Sequence, residues 1–457
     1  MDGVCRVLFA AMEGNLRAER EYDGGNAETQ VNAALLVYTL LMVLVTSASW
    51  TIYWLSGFFM TRPLFGKYDQ FHDLTNYIGK TAHLYHGAAA LGSGYPVFNY
   101  PPPGAFVFKV LLYAVPGHPV RPYLVFLAVS ILGFALVTWS AGRANRAIRI
   151  AAAAAIVVTA VLGYPMWFVA DRGNTEGVVW ALAAAGLCFL LRGRTHTAAV
   201  LIGLSAAIKP FTILFLLLLL RHRKYKEAAL GLATAGLAVI AALTALGPNP
   251  WRAYEDLKPG ISLYASGYIM NLLPVGEMRF NHSLLDGMKS AAVTVKMGGI
   301  HPIKALDEVT GLRAETGGWH GVRKIVRVYP FVAILGLGSL FVVFFKMPIL
   351  NQLTALAVAI AIFPPVAGEY TLLHLYVPFG ALLVFLTREV ATGKVVFSYA
   401  TMLTLAAIYG LLFSPLTFLM LYEGDAKLLL LLALLVVAAR SPMRSEYFDQ
   451  VPHGVIQ

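Results

Sequence analysis

Charged side chains are scarce in this sequence. Asp, Glu, Lys and Arg make up 13% of its 457 residues, against roughly 25% in a typical soluble domain. No stretch of the chain reads as such a domain. Cysteine is nearly absent: Cys5 precedes the first apolar run and Cys188 lies inside a later one. That placement excludes a disulfide framework and suggests no metal cluster. The two-residue alternation of a membrane barrel is missing, and no internal repeat is visible. Residues 1–30 are too polar for a signal peptide. The apolar run that follows is too long for one, so it is expected to remain as an uncleaved anchor.

What the chain has instead is hydrophobic length. Apolar residues form 58% of it, gathered in windows of about 20, the length that crosses a hydrocarbon core. Inside lipid each backbone polar group must pair within its own segment, so these windows should be helices. The fold class expected is all-α, a polytopic transmembrane helical bundle with about 10–12 membrane segments and two large external loops. The segments fall at about 31–58, 104–116, 121–141, 150–168, 176–191, 198–220, 228–247, 325–345, 349–365, 371–387, 395–420 and 426–439. The chain then divides into a cytoplasmic segment 1–30, an N-terminal module 31–247 that includes an external loop at 59–103, a second external loop 248–324, a bundle 325–440 and a cytoplasmic tail 441–457. The formal net charge of +11 sits between apolar runs. It is read as topology and attraction to anionic lipid headgroups, not as a nucleic-acid surface.

Orientation rests on the short loops. Arg221, Arg223, Lys224 and Lys226 form the densest basic cluster and are placed in the cytoplasm. Downstream, Lys346, Arg388, Arg440 and Arg444 then fall inside, and 364–370 and 423–427 outside. Upstream, two courses are open. Simple alternation puts Arg143, Arg146, Arg149, Arg192 and Arg194 outside, against the positive-inside pattern. The other lets 104–116 stay on one side and bends 198–220 into two half-helices at Lys209-Pro210, because proline breaks a helix and disfavours helical geometry just before it. That course puts the five arginines inside, and Asp171–Asn174 and Lys209 on the external face.

The polar exceptions to the apolar pattern are the candidate site. In Tyr68-Asp69-Gln70-Phe71-His72-Asp73-Leu74-Thr75-Asn76-Tyr77, Asp69 and Asp73 would share a helical face. A carboxylate at a membrane boundary can serve as a general base, or belong to a solvated loop. Tyr95 and Tyr100 flank a rigid Pro101-Pro102-Pro103 run, at headgroup depth. Asp171-Arg172-Gly173-Asn174-Thr175-Glu176 reads either as a functional polar knot or as a plain turn with Glu176 at a helix N-terminus. Lys209 is costly in an apolar stretch unless it snorkels or meets an anion such as a lipid phosphate. Asn281-His282-Ser283 is formally a glycosylation sequon, and His374 could be structural or handle phosphate or a proton.

Taken in order, these motifs resemble glycosyltransferase family 87, of the GT-C superfamily. The resemblance is carried by the acidic first loop with Asp73-Leu74-Thr75-Asn76-Tyr77, Tyr100-Pro101-Pro102, Gly173-Asn174, Ala206-Ala207-Ile208-Lys209-Pro210, the basic cluster, Asn281-His282-Ser283 and Pro364-Pro365 followed by Glu369-Tyr370. It covers about residues 31–380, and the enzymes it points to are similar to the polyprenol-phosphate-mannose-dependent α-mannosyltransferases. One departure stands out: many members carry a Ser-Pro-x-Ser-Trp-x-His-His-like stretch late in the chain, where this sequence has Pro364–Tyr370.

The resemblance implies transfer of a sugar, mannose first, from a polyprenyl-phosphate donor to a glycolipid or glycan hydroxyl on the external face of a plasma membrane, the inner membrane of a bacterium. Asp73 is the expected base and Asp69 the second candidate. Lys209, Arg172, Arg279 and His374 are expected on the donor phosphate. His72, Tyr77, Tyr100, Asn174, Asn281, Glu369 and Tyr370 are expected around the substrates. No cofactor and no metal is expected, and no Asp-x-Asp motif supports a nucleotide-sugar donor. The rival readings are a secondary transporter, for which Lys209-Pro210 could be a broken helix, and a flippase of lipid-linked glycans.

Overall fold

The computed structural model describes residues 27–56, 71, 73–74, 100–115, 118–247, 249–272, 279–314, 320–391, 397–444 and 446–449. These residues are helical, with no strand among them beyond one isolated bridge between Asn281 and Gly368. Five helices have the length and composition to cross a membrane, and a bent pair makes a sixth.

The N-terminal half runs α1 (Ala27–Ser56), α2 (Pro102–Ala114), α3 (Val120–Ala141), α4 (Arg146–Leu162), α5 (Tyr164–Arg172), α6 (Glu176–Leu191), α7 (Thr195–Ile208), a 3-10 helix (Pro210–Leu216), α8 (Leu217–Arg221) and α9 (Tyr225–Leu246). Helix α1 packs on α4, where Tyr38 and Thr159 join hydroxyls at 2.5 Å. Asn145 caps α4 by accepting from Ile148 N, which fixes the start of that helix beside Glu28 of α1. Helices α4 and α5 meet at a 50° bend, where Gly163 is extended and Pro165 opens the new helix.

Two features decide the course of the chain. First, α2 does not cross. Tyr100, just before it, and Tyr123, at the start of α3, both reach Asn174: the Tyr100 hydroxyl accepts from Asn174 Nδ2 at 2.9 Å and the Tyr123 hydroxyl donates to Asn174 O at 2.7 Å. Both ends of α2 therefore lie at the same end of the bundle. Second, 195–221 is a helical hairpin. Lys209 is extended, as the residue before proline prefers. The chain then returns along α7, with Ser205 bonded to Thr212. Thr195 at its start bonds Glu227 at the start of α9, so both feet stand together. Each limb is about 21 Å long. The ascending limb is longer than the apolar stretch 198–220 suggests, because α7 begins at Thr195, and the descending limb is drawn out by its 3-10 turns. Of the two courses left open by the sequence, the backbone follows the second.

The hairpin is held by close backbone approach. A Cβ on Gly203 would lie 2.3 Å from Gly231 O, and one on Gly231 would press on Leu216 and on Ala199 O. Both limbs thus seat against α9 at one glycine.

The C-terminal half contains α10 (Pro250–Tyr264), α11 (Leu284–Lys296), α12 (Pro302–Ala314), α13 (His320–Phe344), α14 (Ile349–Ile362), α15 (Tyr376–Ala391), α16 (Tyr399–Phe413) and α17 (Glu423–Arg440), with 3-10 helices at Glu369–Leu375 and Thr417–Tyr422. The described residues of 248–324, read from sequence as a loop, are mostly helical, and Leu272, Val293, Val309, Leu312 and Val322 form a small separate core with Leu421 of the 3-10 helix Thr417–Tyr422. The helices of this stretch mix polar and apolar residues along their length, and α10 and α11 are amphipathic, so no apolar run announces them. Every residue of α14 is buried, in keeping with a helix apolar on all sides at the centre of the bundle. The expected segment 395–420 breaks at Ser414-Pro415 into α16 and the second of these 3-10 helices.

The two ends of the bundle differ in chemistry. At one, Arg388 donates to Ala141 O, Arg149 to Trp139 O, and Asn351 caps the carbonyls of Ala438 and Ser441. Arg192, Arg194 and Arg221–Lys226 lie at the feet of the hairpin at this same end. At the other lie Asp73, Asn174, the hairpin tip and Glu423.

Gly203→Val should push α7 off α9 and destabilise the protein by about 1–3 kcal/mol. Thermal unfolding of the detergent-solubilised protein should show a lower midpoint for this variant than for Gly236→Ala, a glycine of α9 with open space around it.

Candidate functional site

The site is assembled on the amide of Asn174. This residue sits in the turn between α5 and α6, where Gly173 adopts φ +64°. A Cβ on Gly173 would lie 2.4 Å from that of Leu74, so glycine is needed both for the backbone and to let the first loop approach. Phe71 N donates to Asp171 O. These two contacts pin the loop and set Asp73 over the turn.

Asn174 Nδ2 donates to Asp73 Oδ2 at 2.7 Å and to the Tyr100 hydroxyl. Its Oδ1 accepts from Glu176 N at 3.0 Å and from Lys209 Nζ at 3.3 Å. A carboxylate on one side and an ammonium on the other fix which way the amide points. The Tyr100 hydroxyl also donates to Asp73 Oδ2, at 3.3 Å, and Arg172 Nε lies 3.7 Å from Asp73 Oδ1. Behind this layer, Glu176 holds Lys209 Nζ at 2.5 Å and His374 Nε2 at 2.6 Å. Lys209 Nζ also stands 4.3 Å from the centre of the Tyr370 ring, within cation–π range.

Exposure divides these groups by task. The side chains of Arg172, Lys209 and Asp73 are 30%, 21% and 13% exposed, whereas Glu176 and His374 are 2% and 0%. A carboxylate and two cations thus remain partly open to the outside of the bundle. The buried pair supports them from behind.

Residues 98–276 match the model of glycosyltransferase family 87. The matched stretch contains Tyr100, Arg172, Asn174, Glu176 and Lys209, and its similarity to the family therefore runs through the centre of the site. Asp73, Tyr370 and His374 come from outside it. No curated protein and no solved structure matches the chain.

Of the candidates read from the sequence, the fold brings together Asp73, Tyr100, Arg172, Asn174, Lys209, Tyr370 and His374. Asp69, His72 and Tyr77 lie outside the described residues, as does Tyr95. Arg279, Asn281 and Glu369 belong to a second buried network beside the first. Arg279 pairs with Glu423 at 2.9 Å, and Lys427 with Glu369 at 2.5 Å and Glu423 at 3.6 Å. Asn281 Oδ1 accepts from Ser283 N and Ala367 N. Asn281 is buried, so the sequon it opens is closed to glycosylation in the folded chain. Phe168 separates the networks, with Tyr370 on one side and Phe280 on the other. The 3-10 helix Glu369–Leu375 joins them, placing Glu369 in one and His374 in the other.

Glu176, read from sequence either as part of a polar knot or as a charge favourable at a helix start, was not among the expected site residues. The signal was available: a carboxylate opening an otherwise apolar membrane helix is expensive unless partnered.

Two predictions follow from the second network. Lys427→Met leaves Glu369 and Glu423 buried with less compensation and should cost about 3–5 kcal/mol in stability. Adding Glu369→Gln should recover part of the lost melting temperature. His282 is outside the spanning helices and bonded to Thr371. Burial, helped by Lys427, pushes its imidazole down to about 3. The unfolded chain therefore binds the proton first, and stability is lost as pH falls below about 6.5, by about 2 kcal/mol at pH 5. Asp286, raised by burial, slopes the other way. Comparing the pH dependence of melting in His282→Gln with the parent isolates the histidine, and the variant should lack this acid-side loss.

Proposed function

We propose that this protein is a membrane glycosyltransferase that moves a sugar, mannose first among candidates, from a polyprenyl-phosphate carrier to a hydroxyl of a glycolipid or glycan. The observation that carries the reading is the single amide of Asn174, bonded to Asp73 on one side and to Lys209 on the other. It sets a base and a cation a few ångströms apart, the arrangement a displacement at a sugar phosphate requires. The match to glycosyltransferase family 87 over residues 98–276 supports the same class of reaction.

In this mechanism Asp73 takes the proton of the acceptor hydroxyl as its oxygen attacks the anomeric carbon. The bond from that carbon to the phosphate oxygen breaks, and polyprenyl phosphate departs with one more negative charge. Lys209 and Arg172 offset that charge as it develops. One base and a good leaving group imply single displacement with inversion, for which no retaining-type nucleophile is needed. Tyr100 and Asn174 orient the carboxylate, and Tyr370 and His374 orient the lysine through its ring contact and through Glu176.

The site would face the exterior of the plasma membrane. Arg143, Arg146, Arg149, Arg192, Arg194 and the 221–226 cluster gather at the opposite end of the bundle, which the positive-inside pattern assigns to the cytoplasm. A lipid-linked donor fits this arrangement, since its chain can lie among the helices while its phosphate meets the hairpin tip.

The hairpin with a charged tip also suits a transporter. Ion-coupled uptake by the reconstituted protein, without formation of a glycosidic bond, would favour that reading. For the enzyme, Asp73→Asn should reduce transfer from a polyprenyl-phosphate sugar in proteoliposomes to background while the variant melts like the parent. Lys209→Met should slow transfer by about a hundredfold or more, the scale of losing one charge-stabilising donor. A dead Asp69→Asn beside an active Asp73→Asn would reassign the base, and wild-type rates in both would refute the mechanism.

A further inference from the structure

Helix α10 follows the spanning helix α9 almost without a linker. Asn249 caps it by accepting from Arg252 N at 2.8 Å, and Pro250 occupies its first turn. A Cβ on Gly247 would stand 2.6 Å from that of Ala253, so α10 folds back tightly on the end of α9. Lys109 of α2 reaches Ala245 O at the same place. The level of α10 is therefore fixed at the point where a membrane-spanning helix ends, at the site end of the bundle.

The described side chains of α10 sort into three arcs. Ala253 and Gly260 are buried against the protein. At about 100° per residue, Trp251, Tyr254, Lys258 and Ile261 fall together within an arc of about 80° next to the buried one. Trp251 is 70% exposed, Tyr254 43% and Ile261 48%, and the two aromatic rings lie 6.0 Å apart. Arg252, Glu255 and Ser262, also exposed, take the remaining side.

We infer that α10 lies flat in the membrane–water interface, with Trp251, Tyr254 and Ile261 inserted among the lipid headgroups and Lys258 reaching up to their phosphates. The composition of the arcs carries the inference. A helix at the boundary beside a transmembrane protein needs one side for the bundle, one for lipid and one for water, and α10 offers all three. Two aromatic residues beside a lysine suit headgroup depth, where amphipathic rings and snorkelling cations are favoured. A second copy of the chain is a poorer occupant, because the lysine would be buried at the centre of such a contact. The inference does not depend on the enzymatic reading.

The test uses the full chain in vesicles of phosphatidylethanolamine and phosphatidylglycerol. Spin labels are placed by Trp251→Cys, Tyr254→Cys, Ile261→Cys, Glu255→Cys and Ser262→Cys, each with Cys5→Ser and Cys188→Ser. The ratio of oxygen to nickel-chelate accessibility should be several-fold higher at 251, 254 and 261 than at 255 and 262. Nickel-favoured values at all five positions would mean a solvated helix. Low accessibility to both probes at 251 and 254 would mean a protein partner. Either result overturns the inference. A label-free check compares the parent with Trp251→Phe: the fluorescence difference between them should be quenched by lipids brominated near the headgroup, and an unquenched difference rejects the inference.

Discussion

An amide that must serve a carboxylate and an ammonium at once constrains everything around it. Asn174 can do so only if three separate pieces of chain arrive at one point: the first loop with Asp73, the turn after α5, and the tip of the 195–221 hairpin. Each arrival has its own local cause. Gly173 admits Leu74, Pro210 forces Lys209 out of helical geometry, and Tyr123 ties the start of α3 to the turn. Losing any of them would leave a buried polar group without its partner, which costs more than the bond itself contributes.

Broken helices are the means by which a membrane bundle brings such groups together. Polar backbone in lipid is tolerated where neighbours satisfy it. The breaks here meet that condition. Thr212 donates back to Lys209 O at the hairpin tip, and Ser205 donates to Val179 O of the neighbouring α6. The Ser414 side chain returns to Gly410 O at the α16 break, and Leu416 N finds Glu423. The same breaks turn helices that would only span into helices that end at the site. One 3-10 stretch accordingly follows Lys209, and another contains His374.

Much of this was legible in the sequence. The apolar windows located nearly every spanning helix, because a 20-residue apolar run has few alternatives. Basic clustering favoured a course in which 104–116 stays on one side and 198–220 folds in and out, and the backbone takes that course. Asp73, Asn174 and Lys209 stood out as exceptions to hydrophobicity. What did not show was partnership. Arg279, Asn281 and Glu369 carry the same chemical labels as site residues, yet their partners Glu423, Lys427 and Ala367 draw them into a separate network. Glu423 and Lys427 lie over 130 residues beyond Arg279, and no local pattern announces such a pairing. The helices of 248–324 were hidden for a different reason: they are half polar, and the scale that finds spanning helices ignores them.

Glu176 poses the sharpest physical question. A buried carboxylate directly behind a cation lowers the field that the cation can offer to an anion, so its presence needs a compensating use. Lysine has three N–H donors and no preferred plane. Without a partner, an ammonium at the tip of an apolar hairpin would swing toward water or carry a large desolvation cost. Glu176 and Asn174 engage two of the three donors, and the Tyr370 ring stands within cation–π range of the same nitrogen. His374, on the other oxygen of Glu176, drains part of the carboxylate's charge away from the lysine. On the proposed mechanism the departing phosphate therefore meets an ammonium whose direction is already set, and the reorganisation that a free lysine would need has been completed in folding.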